Sequence, residues 1–355
     1  MILETPLPHL SAIELPTPFP VGPVMVYLAH APGEPLTLID TGPCTSETEA
    51  ALVTALAELG HTPADVERIL ITHAHEDHFG LAADLVAASG AQVLTHIWNR
   101  TALEHYESDQ EQRHRFYADL LQKAGVPLQV RTFVGQVTRN MRRFARSVAV
   151  EVVLNDGDVV HLAGHDWQVL YMPGHATGLI CLYEPLKRLL ISSDHLLADI
   201  SSNPVVEPPL PGQTERPRSL ALYQQSLSRI AVMDIAQALP GHGPVIGDVP
   251  GLVRQRFEFH RKRLSRIWEV LRQKDCTTWE ITLALFPDCG PLDTFLAVSE
   301  VIGHLDLLEM EGRISGEMID GVQTWRVTQD ERQVPASSKS RAIRRGDGTP
   351  PTDLK

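Results

Sequence analysis

The 355-residue sequence predicts an α/β (α+β) protein: sheets covered by helices, a helical insertion over about 99–147, and a mostly helical module from about 254. Three observations carry this expectation. Apolar runs alternate with helix-period segments through the first hundred residues, the order of a sheet with helices packed on it. Strand-and-turn texture returns between Val150 and Ile191, after the charged insertion. From about Arg254 the pattern turns mostly helical and closes on a Gly-Arg turn and a short hairpin around Gly321.

Residues 1–35 hold several prolines between short apolar stretches such as Val24 to Ala29, so they read as strands joined by turns. Leu36-Thr37-Leu38-Ile39 is a buried-strand candidate closed by Asp40-Thr41-Gly42-Pro43. Ser46 to Leu59 has helical periodicity, with Gly60 as its stop. A strand over Val66–Ile71, a helix from about Gly80 to Ala88 and a strand over Ala91–Leu94 follow. The insertion contains NRTALEHYESDQEQRHRFYADLLQKAG and NMRRFARSV and breaks near Gly125-Val126-Pro127. It suits a lid, a dimer surface, or simply a solvated helical pair. Val150–Leu154, a turn at Asn155-Asp156-Gly157-Asp158, and strands near Trp167–Met172, Ile180–Tyr183 and Arg188–Ile191 come next. A proline-rich loop, 201–217, leads into a helix over Ser219–Met233. The expected organisation is a catalytic unit over 1–253, a winged-helix-like module over 254–330, and a disordered tail over 331–355, which is poor in apolar residues.

Composition narrows the function classes. At 43% hydrophobic and 21% charged residues, the chain has the make-up of a globular protein. No apolar run approaches the roughly 20 residues of a membrane span, and the first twenty residues lack the basic and apolar regions of a secretory signal. Cys44, Cys181, Cys276 and Cys289 are scattered without CxxC pairing, which disfavours a disulfide framework or a thiolate zinc site and fits a reducing cytoplasm. A net charge of −13 argues against a general nucleic-acid binder, because phosphate contact needs a basic surface.

The chemistry concentrates in ITHAHEDHFG, 71–80. Imidazole and carboxylate are good ligands for zinc and similar divalent metals. His73 and His75, two apart in an extended or turning segment, can face one ion, and Asp77 and His78 can face a second a few ångströms away. A solvated polar turn is the plain alternative. Three later sites weigh against it: MPGHATG around His175, ISSD ending in Asp194, and LPGHGP around His242, which follows a helix in this reading. Glycines flanking the two histidines allow close backbone approach.

These residues resemble the metallo-β-lactamase superfamily. Its HxHxDH motif matches His73, His75, Asp77 and His78, its later ligands match His175, Asp194 and His242, and its strand-end aspartate matches Asp40, over roughly 15–250. The resemblance implies an αββα sandwich with two divalent metal ions in a groove at one sheet edge. It assigns His73, His75 and His175 to the first metal, Asp77, His78 and His242 to the second, and Asp194 to both. Asp40 would orient a ligand histidine by a hydrogen bond. Zinc is the expected metal, although this donor set also suits iron or manganese. The C-terminal part, with HRKRLSRI and HLDLLEMEGRI, is similar to the winged-helix domain of one branch that includes relatives of glyoxalase II.

The expected reaction is hydrolysis, with a metal-bridged hydroxide attacking an electrophilic carbonyl and Asp77 orienting it. The favoured substrate is a small-molecule thioester or ester, as in glyoxalase II. A phosphodiester in RNA is the second reading, with Met141–Arg146 as the one candidate phosphate contact, and a non-enzymatic regulator working through the winged helix is the third. Asn203, Glu207, Tyr223, and His260 with Arg261 are weaker candidates for lining the groove. His195 could move a proton or simply pack. His114, His161 and His165 fall outside every motif.

Overall fold

The computed structural model describes residues 1–291 and 293–328; the expected disordered tail, 331–355, lies outside them. Seven strands form the first sheet: β1 (Ile2–Glu4), β2 (Leu10–Leu15), β3 (Val24–Ala29), β4 (Thr37–Ile39), β5 (Arg68–Ile71), β6 (Gln92–His96) and β7 (Val152–Leu154), in that spatial order. Strands β1 to β4 pair antiparallel, and β4 to β7 pair parallel. The second sheet holds β8 (Val159–Leu162), β9 (His165–Tyr171), β10 (Ile180–Glu184), β11 (Leu189–Ser193) and β12 (Gln237–Pro240), with β12 parallel to β11. A third sheet, β13 (Cys276–Thr277), β14 (Ile314–Ile319) and β15 (Val322–Val327), has β15 in the middle.

The helices are α1 (Ser46–Glu58), α2 (Glu76–Phe79), α3 (Ala82–Ser89), α4 (Ile97–Glu104), α5 (Tyr106–Lys123), α6 (Leu128–Met141), α7 (Ser219–Ala231), α8 (Val249–Leu271), α9 (Thr278–Leu285) and α10 (Thr294–Met310). Among the described residues, no helix is long and apolar enough to cross a membrane.

Period-two alternation divides the strands between three cores. Ile69 and Ile71 of β5 join Leu52, Leu56 and Leu85 beneath α1 and α3. Leu70, between them, faces the opposite way, into a layer shared with Trp167, Val169, Leu182 and Leu239 of the second sheet. On that sheet's far side, Cys181 and Leu190 meet Leu220, Tyr223 and Leu227 of α7 and Leu252 of α8. Helix, sheet, sheet, helix is thus the layer order, the expected αββα sandwich.

Two further clusters carry the additions. Leu121, Ala124 and Val134 of the insertion pack on Val298 and Ile302 of α10, together with Val206. Ile281, Leu305, Ile314 and Trp325 form the core of the C-terminal module. Helix α8 belongs to both units, since Leu252 and Val253 lie in the sandwich core while Ile267 and Leu271 lie in the C-terminal one.

The two sheets are sewn together at one edge. Ile180 N donates to Thr72 O (3.0 Å), Met25 N donates to Gly241 O (2.7 Å), and the Tyr27 hydroxyl donates to Pro240 O (2.6 Å). This edge carries the motif residues.

Candidate metal centre

Because β4, β5 and β6 run parallel, their C-terminal ends reach the same edge of the first sheet. Asp40 follows β4, His73 and His75 follow β5, and the single-turn helix α2 carries Asp77 and His78. From the second sheet, the β9–β10 turn supplies His175, the end of β11 supplies Asp194, and the turn after β12 supplies His242. The sequence reading set His242 after a helix. The structure corrects this: the short strand β12 intervenes, and its parallel pairing with β11 sets His242 beside Asp194. Gly241 makes that approach feasible, since a Cβ there would stand 2.2 Å from Asp194 Oδ1 and 2.9 Å from His78 Cε1.

Three imidazole nitrogens form one group. His75 Nδ1 lies 3.0 Å from His73 Nε2 and 3.0 Å from His175 Nε2. A tetrahedral cation with bonds of 2.0–2.1 Å would separate such nitrogens by about 3.3 Å. A second group contains Asp77, His78 and His242, with His242 Nε2 3.3 Å from Asp77 Oδ2 and His78 Nε2 3.9 Å from Asp77 Oδ1. Asp194 stands between the groups. Its Oδ1 is 3.5 Å from His78 Nε2, and its Oδ2 is 3.5 Å from His175 Nε2 and 3.6 Å from His242 Nε2.

The residues behind these rings fix which nitrogen faces inward. His78 Nδ1 donates to Asp40 Oδ2 (2.8 Å), His242 Nδ1 to Pro23 O (2.7 Å), and His175 Nδ1 to Asn203 O (3.0 Å). With the outer nitrogen carrying the proton, each inner Nε2 presents a lone pair to the interior. Thr72 and Ser193 hydroxyls lie behind His73 Nδ1, at 3.1 and 3.5 Å. Asp40 and Ser193, behind the site, both take positive φ, +59° and +46°.

Burial, and then the neighbouring imidazoles, push His73 well below the ordinary histidine range, and burial likewise lowers His75 and takes His175 down to about 4. Burial works to raise Asp77 and Asp194, but His78 and His242 outweigh it and keep both carboxylates ionised. His78 is the converse: burial opposes its charge, yet Asp194, Asp40 and Asp77 raise it well above the ordinary value, so its Nε2 offers a lone pair only when a bound cation displaces the proton there.

Divalent cations fit this donor set. His78 Nε2, His242 Nε2 and Asp194 Oδ1 are buried without any hydrogen-bond partner, a state that costs free energy unless something positive lies between them. The fold and these clustered histidines and aspartates support two divalent metals.

The insertion grips the site from outside. On α5, Tyr106 Oη and Gln110 Nε2 each donate to Glu76 Oε1 at 3.0 Å, between His75 and Asp77 in the chain. Arg113, on the next turn, donates to Glu207 Oε1 (2.9 Å), and Glu207 Oε2 accepts from the Thr177 amide and hydroxyl, two residues past His175. Arg113 and Glu207 also line a cavity of about 310 Å³ that opens onto His75.

Of the weaker candidates, Glu207 lines that cavity and Asn203 holds His175 through its carbonyl oxygen. Tyr223 is buried under the site, its hydroxyl donating to His195 O, with its Cα 2.4 Å from where a Cβ on Gly174 would stand. His195 is buried against the Tyr223 ring. His260 is buried against His304, and Arg261 pairs with Glu258 at the surface, so neither lines the groove. His114, His161 and His165 lie away from the cluster. In the basic stretch, Arg146 pairs with Asp84, Arg142 lies 3.7 Å from Glu111, and Arg143 stacks on Phe144. The sequence reading missed Thr72, Ser202 and Arg113; Ser202 Oγ lies 3.1 Å from His175 Nδ1.

Comparison with known proteins agrees with this geometry. The chain is 36% identical over 305 residues to "Probable metallo-hydrolase YqjP" of Bacillus subtilis, covering 86% of this chain and 93% of that protein. A crystal structure of a metallo-beta-lactamase family protein from Thermus thermophilus superposes with a TM-score of 0.77 at 27% identity, over 91% of this chain and 100% of that one. A shorter match, 28% identical over 123 residues, covers 35% of this chain and 39% of the bovine protein named "Acyl-coenzyme A thioesterase MBLAC2". The model of the metallo-beta-lactamase superfamily matches residues 19–242, from the loop before β3 to the last histidine of the cluster. On that span and that metallo-hydrolase relative, this protein belongs to the metallo-β-lactamase superfamily and is a metal-dependent hydrolase.

Proposed function

We propose that the chain hydrolyses a small-molecule thioester or ester. In this reading His73, His75 and His175 hold one cation, Asp77, His78 and His242 hold the other, Asp194 is shared, and Asp40 orients His78. The position of Asp194, with its two oxygens turned toward the two groups, is the observation that carries the two-cation hydrolase on which this substrate reading is built. Three imidazoles around one point suit zinc. The bovine relative's name supports an acyl thioester.

Two divalent cations, when bound, lower the pKa of coordinated water toward about 7 and polarise the substrate carbonyl. Asp77, whose side chain is 14% exposed, accepts a hydrogen bond from the attacking water and orients it. The buried histidines behind it would hold the cations in fixed positions, so the positive charge facing the carbonyl oxygen would already be in place as negative charge develops there. The cavity beside His75 receives one half of the substrate.

We read 254–328 as a winged-helix module with an interaction role, and the four free cysteines as those of a cytoplasmic protein. The test of function is a parallel assay of metal-quantified protein against acyl thioesters and a labelled single-stranded RNA. Thioester turnover without RNA cleavage is expected, and His73→Ala should lose both activity and metal. Turnover of RNA alone would overturn the carbonyl reading.

A further inference from the structure

We infer that the cavity beside His75 binds the acyl half of the substrate and takes a compact, uncharged acyl group of up to about ten non-hydrogen atoms. This deepens the thioester or ester reading above and rests on it. The cavity measures about 310 Å³, room for about ten water-sized groups at about 30 Å³ each, and stands at the small end of ligand sites. It is bounded by Trp98 and Ala102 of α4, by Arg113 of α5, and by Leu210 of the proline-rich loop, and it meets the candidate metal centre at His75. A carbonyl held at the metal groups therefore has its acyl chain directed at a wall.

The charge of that wall decides what the acyl group carries. Its charged members are Asp109, Arg113 and Glu207. Arg113 Nε donates to Asp109 Oδ2 at 2.6 Å and Nη1 to Glu207 Oε1 at 2.9 Å, so its guanidinium is engaged on both sides. Among the described residues of the lining, it is the one arginine or lysine. Two carboxylates against one guanidinium leave the wall with net negative charge. Beyond the candidate metal centre at its mouth, where the carbonyl is held, the cavity offers no free cation to an acyl group ending in a carboxylate, which would lose its hydration on entry. An anionic carrier, such as a phosphorylated one, stays outside the cavity.

The test uses the full, metal-loaded chain and a series of thioesters of N-acetylcysteamine, a small neutral carrier. The series is acetyl, butyryl, hexanoyl, octanoyl and dodecanoyl, with succinyl as the charged counterpart of butyryl. The expected kcat/KM peaks at butyryl to octanoyl, falls at least tenfold at dodecanoyl, and is at least tenfold lower for succinyl than for butyryl. Trp98→Ala should move the peak toward dodecanoyl at unchanged metal content, and Ala102→Phe should depress hexanoyl turnover at least tenfold more than acetyl turnover. Dodecanoyl turned over as well as hexanoyl, succinyl as well as butyryl, or profiles unmoved in both variants would overturn the pocket assignment while leaving the thioesterase reading intact. If the metal-loaded protein turns over no member of the series, both fall.

Discussion

Asp40→Asn separates the two metal groups, because Asp40 bonds directly to a ring of only one of them, His78, and reaches His73 only through the Thr72 hydroxyl. Its Oδ1 accepts from Thr72 N (2.8 Å), and its Oδ2 accepts from Thr72 Oγ1 (2.7 Å) and His78 Nδ1 (2.8 Å). Asparagine keeps the size and tolerates the +59° φ, so the backbone is not disturbed. The Thr72 amide can only donate, and it holds the remaining oxygen of the new side chain at the Oδ1 position. The NH2 then faces His78, which must accept at Nδ1 and carry its proton on Nε2, the nitrogen turned toward Asp77 and Asp194. Losing a hydrogen bond to a charged group costs about 2 kcal/mol, or about thirtyfold in affinity at about 1.4 kcal/mol per decade. Stepwise competition against a chromogenic chelator, with stoichiometry from elemental analysis, reads each equivalent separately. One equivalent should weaken about thirtyfold, and the one proposed for His73, His75 and His175 should change less than about threefold. Equal weakening of both, or no change in either, would refute the role given to Asp40.

Gly241→Ala acts on the shared carboxylate: a Cβ 2.2 Å from Asp194 Oδ1 forces Asp194 aside, so both equivalents should weaken in the same chelator titration. Arg113→Ala leaves Glu207 buried without its cation, and urea unfolding should show a loss of about 3 kcal/mol, largely recovered when Glu207→Gln is added. A third prediction concerns pH. Burial pushes His260 down to about 3, and the side chain is only 2% exposed. The unfolded chain takes up this proton near pH 6.5 and the folded chain only near pH 3. Between those values the unfolded state binds more protons, so His260 makes stability fall as pH falls. His260→Gln should flatten the loss by about 1 kcal/mol per pH unit across that window, measured by urea unfolding at pH 6.5, 5.5 and 4.5. Identical slopes in the two proteins would contradict it.

What could be read in advance from the residues was set by chemistry that needs particular side chains. Imidazoles and carboxylates at strand ends, and a glycine where Asp194 and His78 leave no room for a Cβ, left marks at His73 to His78, His175 and His242 because few other residues could stand there. Strands whose central residues face two cores were visible for the same reason, as in Arg68–Ile71 and Ile180–Glu184. Strand β12 was not, since Gln237-Ala238-Leu239-Pro240 is short, ends in proline, and owes its register to β11. Arg113 was hidden for a different reason. On a helix crowded with charge it is one more solvated side chain until the fold brings up Glu207, 94 positions away, whose other oxygen holds Thr177. A donor atom can be inferred from a residue's type, but its direction depends on the acceptor behind it. For His78, His175 and His242 those acceptors are Asp40, Asn203 O and Pro23 O, two of them backbone carbonyls with no side-chain signature at all. The reach of sequence reasoning at this site therefore ends where orientation passes from side chains to main chain.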